Sequence, residues 1–215
     1  ITFPHPFERV PKIFVSQFAL DFIRSYNYRF TATPIKITKN GFELKFNTWC
    51  NTLVWSAGMR WVAYDPTLAM THGAVSTMWG SSHNFMKGSG GRAQTADAKF
   101  PETFKHVPSV ITGLKDIDII TGKNWRFTSA VSGVTRKGFR NTFRTWSNTK
   151  IWGTRSNFLA VDPVVLAEQG LNVQVGSLGA KGTGNVKGWK LLHGRGTRTN
   201  TFRVNFAKPY RGKPN

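Results

Sequence analysis

The chain lacks most of the groups that catalytic and cross-linked folds depend on. One cysteine, Cys50, excludes an intrachain disulfide. No run of about 18 apolar residues occurs, so no membrane-spanning helix is expected. The five histidines (His5, His72, His83, His106 and His193) show no His-x-x-x-His or Cys/His spacing, and no metal or cofactor is expected. No Asn-x-Ser/Thr sequon is present. The glycine-rich stretches GSGGR (88–92) and GAKGTG (179–184) fit neither the dinucleotide fingerprint nor the phosphate-binding loop. Acidic residues are scarce, ten against thirty Lys and Arg, for a net charge of +20. Such a field attracts polyanions: nucleic acid, acidic or sulfated polysaccharide, an anionic membrane surface. Solubility, or pairing with an acidic partner, is the plainer alternative. The chain begins at Ile1 rather than Met and shows no signal-peptide pattern, so a processed chain is expected.

What the chain does have is apolar matter and a repeat. A hydrophobic fraction of 40%, with 13% aromatic residues, suffices for real cores and argues against disorder over most of the length. Slid along itself by 97 residues, the sequence aligns 1–66 with 98–163 without a gap. Phe3, Phe7, Val10 and Pro11 fall on Phe100, Phe104, Val107 and Pro108. Asp21, Asn27, Arg29 and Phe30 fall on Asp118, Asn124, Arg126 and Phe127. NTWCNTLVW (47–55) falls on RTWSNTKIW (144–152). A third start, VNFAKPYRGKP (204–214), repeats ITFPHPFERVP (1–11). The expected organisation is a first copy over 1–70 that lacks its N-terminal part and a complete copy over 71–163. The opening of a third follows over 164–215, open to completion by another chain.

Within each copy the apolar pattern has period two, as in Tyr28-x-Phe30-x-Ala32 and Phe42-x-Leu44-x-Phe46. Alternation over short runs predicts strands with one buried face. Lys39-Asn40-Gly41 and Arg136-Lys137-Gly138 mark the turns between two such runs. The segments ahead of each copy, rich in Gly, Ser and Asn, predict loops with short strands. Val164–Leu171 is the one helical candidate, short and ended by Gly170. The fold class is therefore all-β, with tandem small antiparallel sandwiches of about six strands each.

Little of this suits an enzyme. The one close acidic pair is Asp116 and Asp118, and the first copy keeps only the second of them, as Asp21; a paired-carboxylate hydrolase needs both. Cys50 is Ser147 in the second copy, so no nucleophile repeats. What does repeat is Arg29/Arg126 on an alternating strand, a turn at Asn51-Thr52 and Asn148-Thr149, and a tryptophan on either side of that turn. Large aromatics are mostly buried, which reads as core. A turn tip is normally exposed, which reads as a site. An exposed indole beside a guanidinium stacks on a sugar ring and binds its hydroxyls. The same pair also suits unstacked nucleobases.

The order Phe-x-x-Pro-[Phe/Tyr]…Pro, Asn-x-Arg, Gly-Phe and Thr-Trp-x-Asn-Thr-x-x-aromatic resembles the H-type lectin domain of snail agglutinins and discoidins, over nearly the whole chain. The resemblance implies a six-stranded antiparallel sandwich that assembles into trimers and binds galactose or N-acetylgalactosamine between neighbouring units. By that resemblance Arg29 and Arg126 match the sugar-binding arginine, and Trp49 and Trp146 the binding tryptophan. Trp55 and Trp152 stand where a tyrosine lines the sugar site. Cys50 and Ser147 stand where snail lectins carry histidine. The acidic residue that holds sugar hydroxyls in those lectins aligns with Ser89 and Arg195, so the carboxylate is missing and acidic or sulfated glycans become the stronger expectation. A secreted, multivalent lectin without catalytic activity is the resulting expectation. The alternative is a secreted structural or adhesive protein whose repeats serve matrix or filament assembly, with inactive sugar sites. Nucleic-acid binding is a third option, on charge and tryptophan content.

Overall fold

A computed structural model describes residues 1–176, 199, 201 and 203–210 of the chain. They fall into two compact units, Ile1–Val173 and Gln174–Asn215. The glycine-rich stretch 179–184, His193 and Arg195 lie outside the described residues.

The regular structure of the first unit is almost all strand: β1 (Lys12–Phe22), β2 (Tyr28–Thr38), β3 (Gly41–Asn47), β4 (Val54–Tyr64), β5 (Met70–Ser76), β6 (Gly91–Lys99), β7 (Ser109–Ile119), β8 (Thr128–Ser132), β9 (Gly138–Trp146) and β10 (Ile151–Val161). All pairings are antiparallel. The 97-residue offset carries β1 onto β7 and β4 onto β10 residue for residue. The second copy forms two three-stranded layers, β6-β9-β8 and β7-β10-β5. Those are the six expected strands, and the Gly/Ser-rich segment ahead of the copy supplies two of them, β5 and β6. The first copy contributes the pair β1-β4 and the pair β2-β3, with an isolated bridge from Thr2 to Gly41 where the second copy pairs Lys99 with Gly138. β2 adds to the edge of β7, so one five-stranded sheet, β3-β2-β7-β10-β5, runs through both copies.

The alternation read from sequence resolves into a shared core. Phe30, Phe85, Phe100, Ile117, Phe139, Phe143, Ile151 and Phe158 pack together from both copies. A smaller cluster of Phe3, Ile13, Val15 and Phe42 lies under the first copy. Full burial of such side chains contributes roughly 1.5–3 kcal/mol each. Gly41 and Gly138 are required for close approach, since a Cβ there would meet the carbonyl oxygens of Ile1 and Ala98, each at 2.1 Å.

The helical candidate is one short helix, α1 (Pro163–Glu168). Asp162 caps it by accepting from the backbone N–H of Val164 and Val165. Asp65-Pro66, the matching pair in the first copy, opens only a turn, closed onto the Thr67 N–H and hydroxyl, before β5 begins.

In the second unit, Phe206 and Tyr210 meet edge to face at 5.0 Å. Phe3–Phe7 and Phe100–Phe104 form the same clasp at the same distance. Gln174 and Lys208 exchange two hydrogen bonds there.

Candidate functional site

The repeated motif builds one local device twice. Its first threonine (Thr48, Thr145) donates to the carbonyl of the arginine on the neighbouring segment, at 2.7 Å in both copies. Its second (Thr52, Thr149) donates to the carbonyl of Asn27 or Asn124. The asparagine between them accepts from the arginine itself, Arg29 to Asn51 at 3.2 Å and Arg126 to Asn148 at 2.8 Å. Cys50 and Ser147 occupy the left-handed corner of the turn, at φ 53° and 55°. That conformation is uncommon for side chains with a Cβ.

The flanking tryptophans differ in placement. Trp55 and Trp152 each fall at a break in strand register, where Asp21/Phe22 pair with Ser56/Val54 and Asp118/Ile119 with Gly153/Ile151. A bulge of this kind turns its extra side chain out of the ladder, and Trp55 is 74% exposed. Trp152 is less exposed. Its carbonyl accepts from the buried His83 imidazole at 2.9 Å, while the other ring nitrogen of His83 takes a bond from Gln94.

Around Arg29 the sheet is continued by the second copy. Arg29 pairs with Asp118 on β7 at 3.3 Å. Burial pushes the Asp118 carboxyl up, against the pull of Arg29 and the weaker pull of the Trp49 side chain. Two residues along the same face, Asp116 accepts from the Thr31 hydroxyl and pairs with Arg155 on β10 at 3.1 Å. Asp116 and Asp118 are both buried. Above them lies a depression of about 330 Å³ lined by Thr31, Trp49, Trp79, Asp116 and Arg155. Trp79 lies so close over Gly153 that a Cβ there would sit 2.2 Å from the indole.

The structure thus brings together Arg29, Trp49 and Asn51 from the first copy with Asp116, Asp118, Gly153, Arg155 and Trp79 from the second. Cys50 and Trp55 do not line this depression. Four of its five lining residues escaped the sequence reading. Asp116 corresponds to Ala19, Arg155 to Gly58, and Trp79 lies outside the matched stretch, so comparison of the copies conceals them. The Asp116/Asp118 pair was the one visible signal.

Around Arg126 the arrangement differs. Trp146 and Ser147 border the turn, and the Ser147 N–H donates to Gly90 at 3.0 Å. The buried Arg92 braces the turn from behind, donating to the carbonyls of Ser147 and Thr149. Among the described residues no carboxylate pairs with Arg126, and no group of three or more potential metal ligands occurs.

An antiparallel sandwich, complete in the second copy and partial in the first, with a polar, aromatic-walled depression where the copies join, is the architecture of a lectin-type binding domain. The chain belongs to the H-type lectin domain family, whose model matches residues 1–64 and 95–161. A protein of Fuscovulum blasticum described as "ATP synthase subunits region ORF 7" is 35% identical over 77 residues, 36% of this chain and 67% of that one. Discoidin-2 of Dictyostelium discoideum is 34% identical over 76 residues, 35% of this chain and 30% of its own length. The native structure of recombinant discoidin II from the same organism aligns over 72% of this chain and 73% of that one, at 21% identity and a TM-score of 0.41. Among the described residues no helix is long and apolar enough to cross a membrane.

Proposed function

We propose that the protein is a secreted, multivalent lectin that binds galactose- or N-acetylgalactosamine-type glycans at the junction of its copies, with acidic glycans as a second ligand class. The observation that carries this reading is the buried Asp116, shared between the Thr31 hydroxyl and Arg155 beneath two indoles. Paired carboxylate and guanidinium groups offer acceptors and donors side by side, as adjacent sugar hydroxyls require. The indoles wall the ring's apolar face. A strand of the second copy supplies the carboxylate at this junction. The third start, at 204–214, adds the opening of another copy. Several sites on one chain raise avidity without new contacts.

The test is a glycan array at low and high salt, with Asp116→Asn beside the parent protein. Galactoside binding that survives high salt and falls at least tenfold in the variant supports the reading. Parent-like binding by Asp116→Asn, or no binding to any glycan, overturns it.

A second reading, assembly of an adhesive matrix, has one observation in its favour. Among the described residues the outer edges of β3 and β4 carry no neighbouring strand beyond the Thr2 bridge, whereas β6 and β5 cover their counterparts β9 and β10. Unpaired edges accept strands from other chains. Light scattering over a concentration series decides: growth with concentration supports assembly, and a monodisperse compact species at high concentration removes it.

A further inference from the structure

Trp79, one of the two indoles at the junction, is held in place by hydrogen bonds from its neighbours rather than by a strand of its own. The segment that carries it leaves β5 and runs across β10. There the Thr77 N–H donates to the Thr154 carbonyl at 3.0 Å, and the Gly80 N–H to the Trp152 carbonyl at 3.1 Å. Those two bonds bracket Gly153, the residue against which the Trp79 ring lies. Between them the Met78 N–H donates to the side-chain oxygen of Gln94 on β6, at 2.8 Å. The Gln94 amide nitrogen then donates to Nδ1 of His83 at 3.1 Å and to Oδ1 of Asn84 at 3.2 Å. Asn84 in turn donates to the Ala93 carbonyl at 2.9 Å. His83 completes this latch through Nε2 on the Trp152 carbonyl, at 2.9 Å.

Three backbone groups fix the direction of every bond in the latch. The Met78 N–H can only donate, so Gln94 turns its oxygen there and its NH2 toward His83. The Ala93 carbonyl can only accept, so Asn84 keeps its own oxygen toward that same NH2. The Trp152 carbonyl can only accept, so His83 carries its hydrogen on Nε2 and a lone pair on Nδ1. The latch therefore closes on the neutral ring in one tautomer. A proton added at Nδ1 would point at the Gln94 NH2, and flipping that amide would set its NH2 against the Met78 N–H. The ring is buried among the 3-10 turn Asn84–Met86, β6 and β10. Charged side chains on these elements and the adjoining turns are Arg92, Asp97, Lys99, Arg155, Lys87 and Lys150. Asp97 is exposed and bound to Arg140, and Asp116, beyond β10, is held by Arg155. Among the described residues no carboxylate pairs with a charged imidazole at position 83. We infer that His83 is a positioning residue for the junction and makes sugar binding there sensitive to acid. The neutral ring, acting through Gln94 and Met78, holds the Trp79 wall over the depression, and the protonated ring releases it. Imidazole is the side chain suited to such a change near neutral pH. Sugar and proton then compete, and each weakens the other's binding by the same factor. The inference rests on the glycan-binding reading above and adds a control to it.

The test titrates methyl galactoside into the whole chain at pH 7.5 and pH 5, for the parent and for Gln94→Glu, with thermal melting as the check on folding. A glutamate at this position still accepts from Met78, and its second oxygen accepts from a protonated Nδ1, so acid no longer opens the latch. The parent is expected to bind about tenfold more weakly at pH 5 than at pH 7.5. In Gln94→Glu the ratio between the two pH values should fall to about one. Hydrogen exchange at the Met78 amide, corrected for the intrinsic rate at each pH, reads the latch without any sugar. Its protection should drop in acid in the parent and hold in the variant. Parent affinity that is the same at both pH values overturns the inference and leaves the lectin reading standing. An acid loss that persists in folded Gln94→Glu also overturns it, because the sensitivity then belongs to Asp116 and Asp118. Loss of Met78 protection in acid with undiminished galactoside affinity overturns the link between latch and wall. No galactoside binding at either pH removes the sugar reading, and Met78 protection then shows whether the acid-sensitive latch stands without it.

Discussion

Arg29 and Arg126 come from the same sentence of sequence and are held by the same threonines and asparagine, yet they face different surroundings. Arg29 looks onto β7, where the neighbouring copy lays down two buried carboxylates, one of them paired with Arg155 of β10. Arg126 ends on an open sheet face beside Arg144. The motif therefore sets the posture of an arginine, and the adjoining strand sets which charges that arginine meets. Duplication followed by divergence of the neighbour, rather than of the motif, gives one chain two kinds of surface.

Matched substitutions in the two copies sharpen this comparison. The largest effect is expected in the core. Phe143 is fully buried, while its counterpart Phe46 is 46% exposed and touches Phe30 at 5.4 Å. Phe143→Ala should lower unfolding stability by about 3–5 kcal/mol, and Phe46→Ala by about 1 kcal/mol, in equilibrium denaturant unfolding. Equal losses would show that the first copy's inner face is as tightly packed as the second's.

Next come the glycines of β4 and β10. Gly153→Ala pushes a methyl group into the Trp79 indole, whereas Gly58→Ala meets only the ring of the exposed Phe18. The first should cost about 1–3 kcal/mol and weaken galactoside binding at least tenfold by displacing the Trp79 wall. The second should stay within about 0.5 kcal/mol and leave binding alone. Calorimetric titration with thermal melting reads both, and intact sugar affinity in Gly153→Ala would remove Trp79 from the site.

The smallest effect concerns the seam where Tyr64, closing β4, bonds His72 on β5 at 2.8 Å. Burial, aided by Lys12 and Lys115, holds the His72 imidazole below its usual range. The unfolded chain then binds the proton more readily, so this contribution to stability is present above about pH 6.5 and fades as pH falls below it. A neutral imidazole accepts the Tyr64 hydroxyl; a protonated one cannot. The melting temperature should drop between pH 7.5 and pH 5, and His72→Gln should flatten that part of the curve.

Much of the fold was readable in advance because it repeats. Phe30 with Phe127 and Gly41 with Gly138 are selected by the same sheet geometry, so their pattern survives comparison of one copy with the other. Even the strands ahead of the second copy lay in a segment expected to hold short ones. The site was readable only in the half that repeats. Arg29, Trp49 and Asn51 announced themselves, but Asp116, Arg155 and Trp79 are unique to one copy, and their proximity comes from β2 joining β7. No local pattern encodes that pairing; it follows from which sheet edge is free to receive a strand. The bulges at Trp55 and Trp152 were hidden for a similar reason, since a bulge is a property of two strands and not of one.

The left-handed corner at Cys50 and Ser147 has a practical consequence. The chain carries one thiol, and it sits exposed at the apex of one copy's turn and not the other's. A thiol-reactive fluorophore attached to Cys50 is an address label on the first copy alone, next in sequence to the indole of Trp49. Quenching by that indole gives an optical readout of the junction. Events at the junction can then be followed separately from those at the Arg126 turn, in one tube, on otherwise native protein.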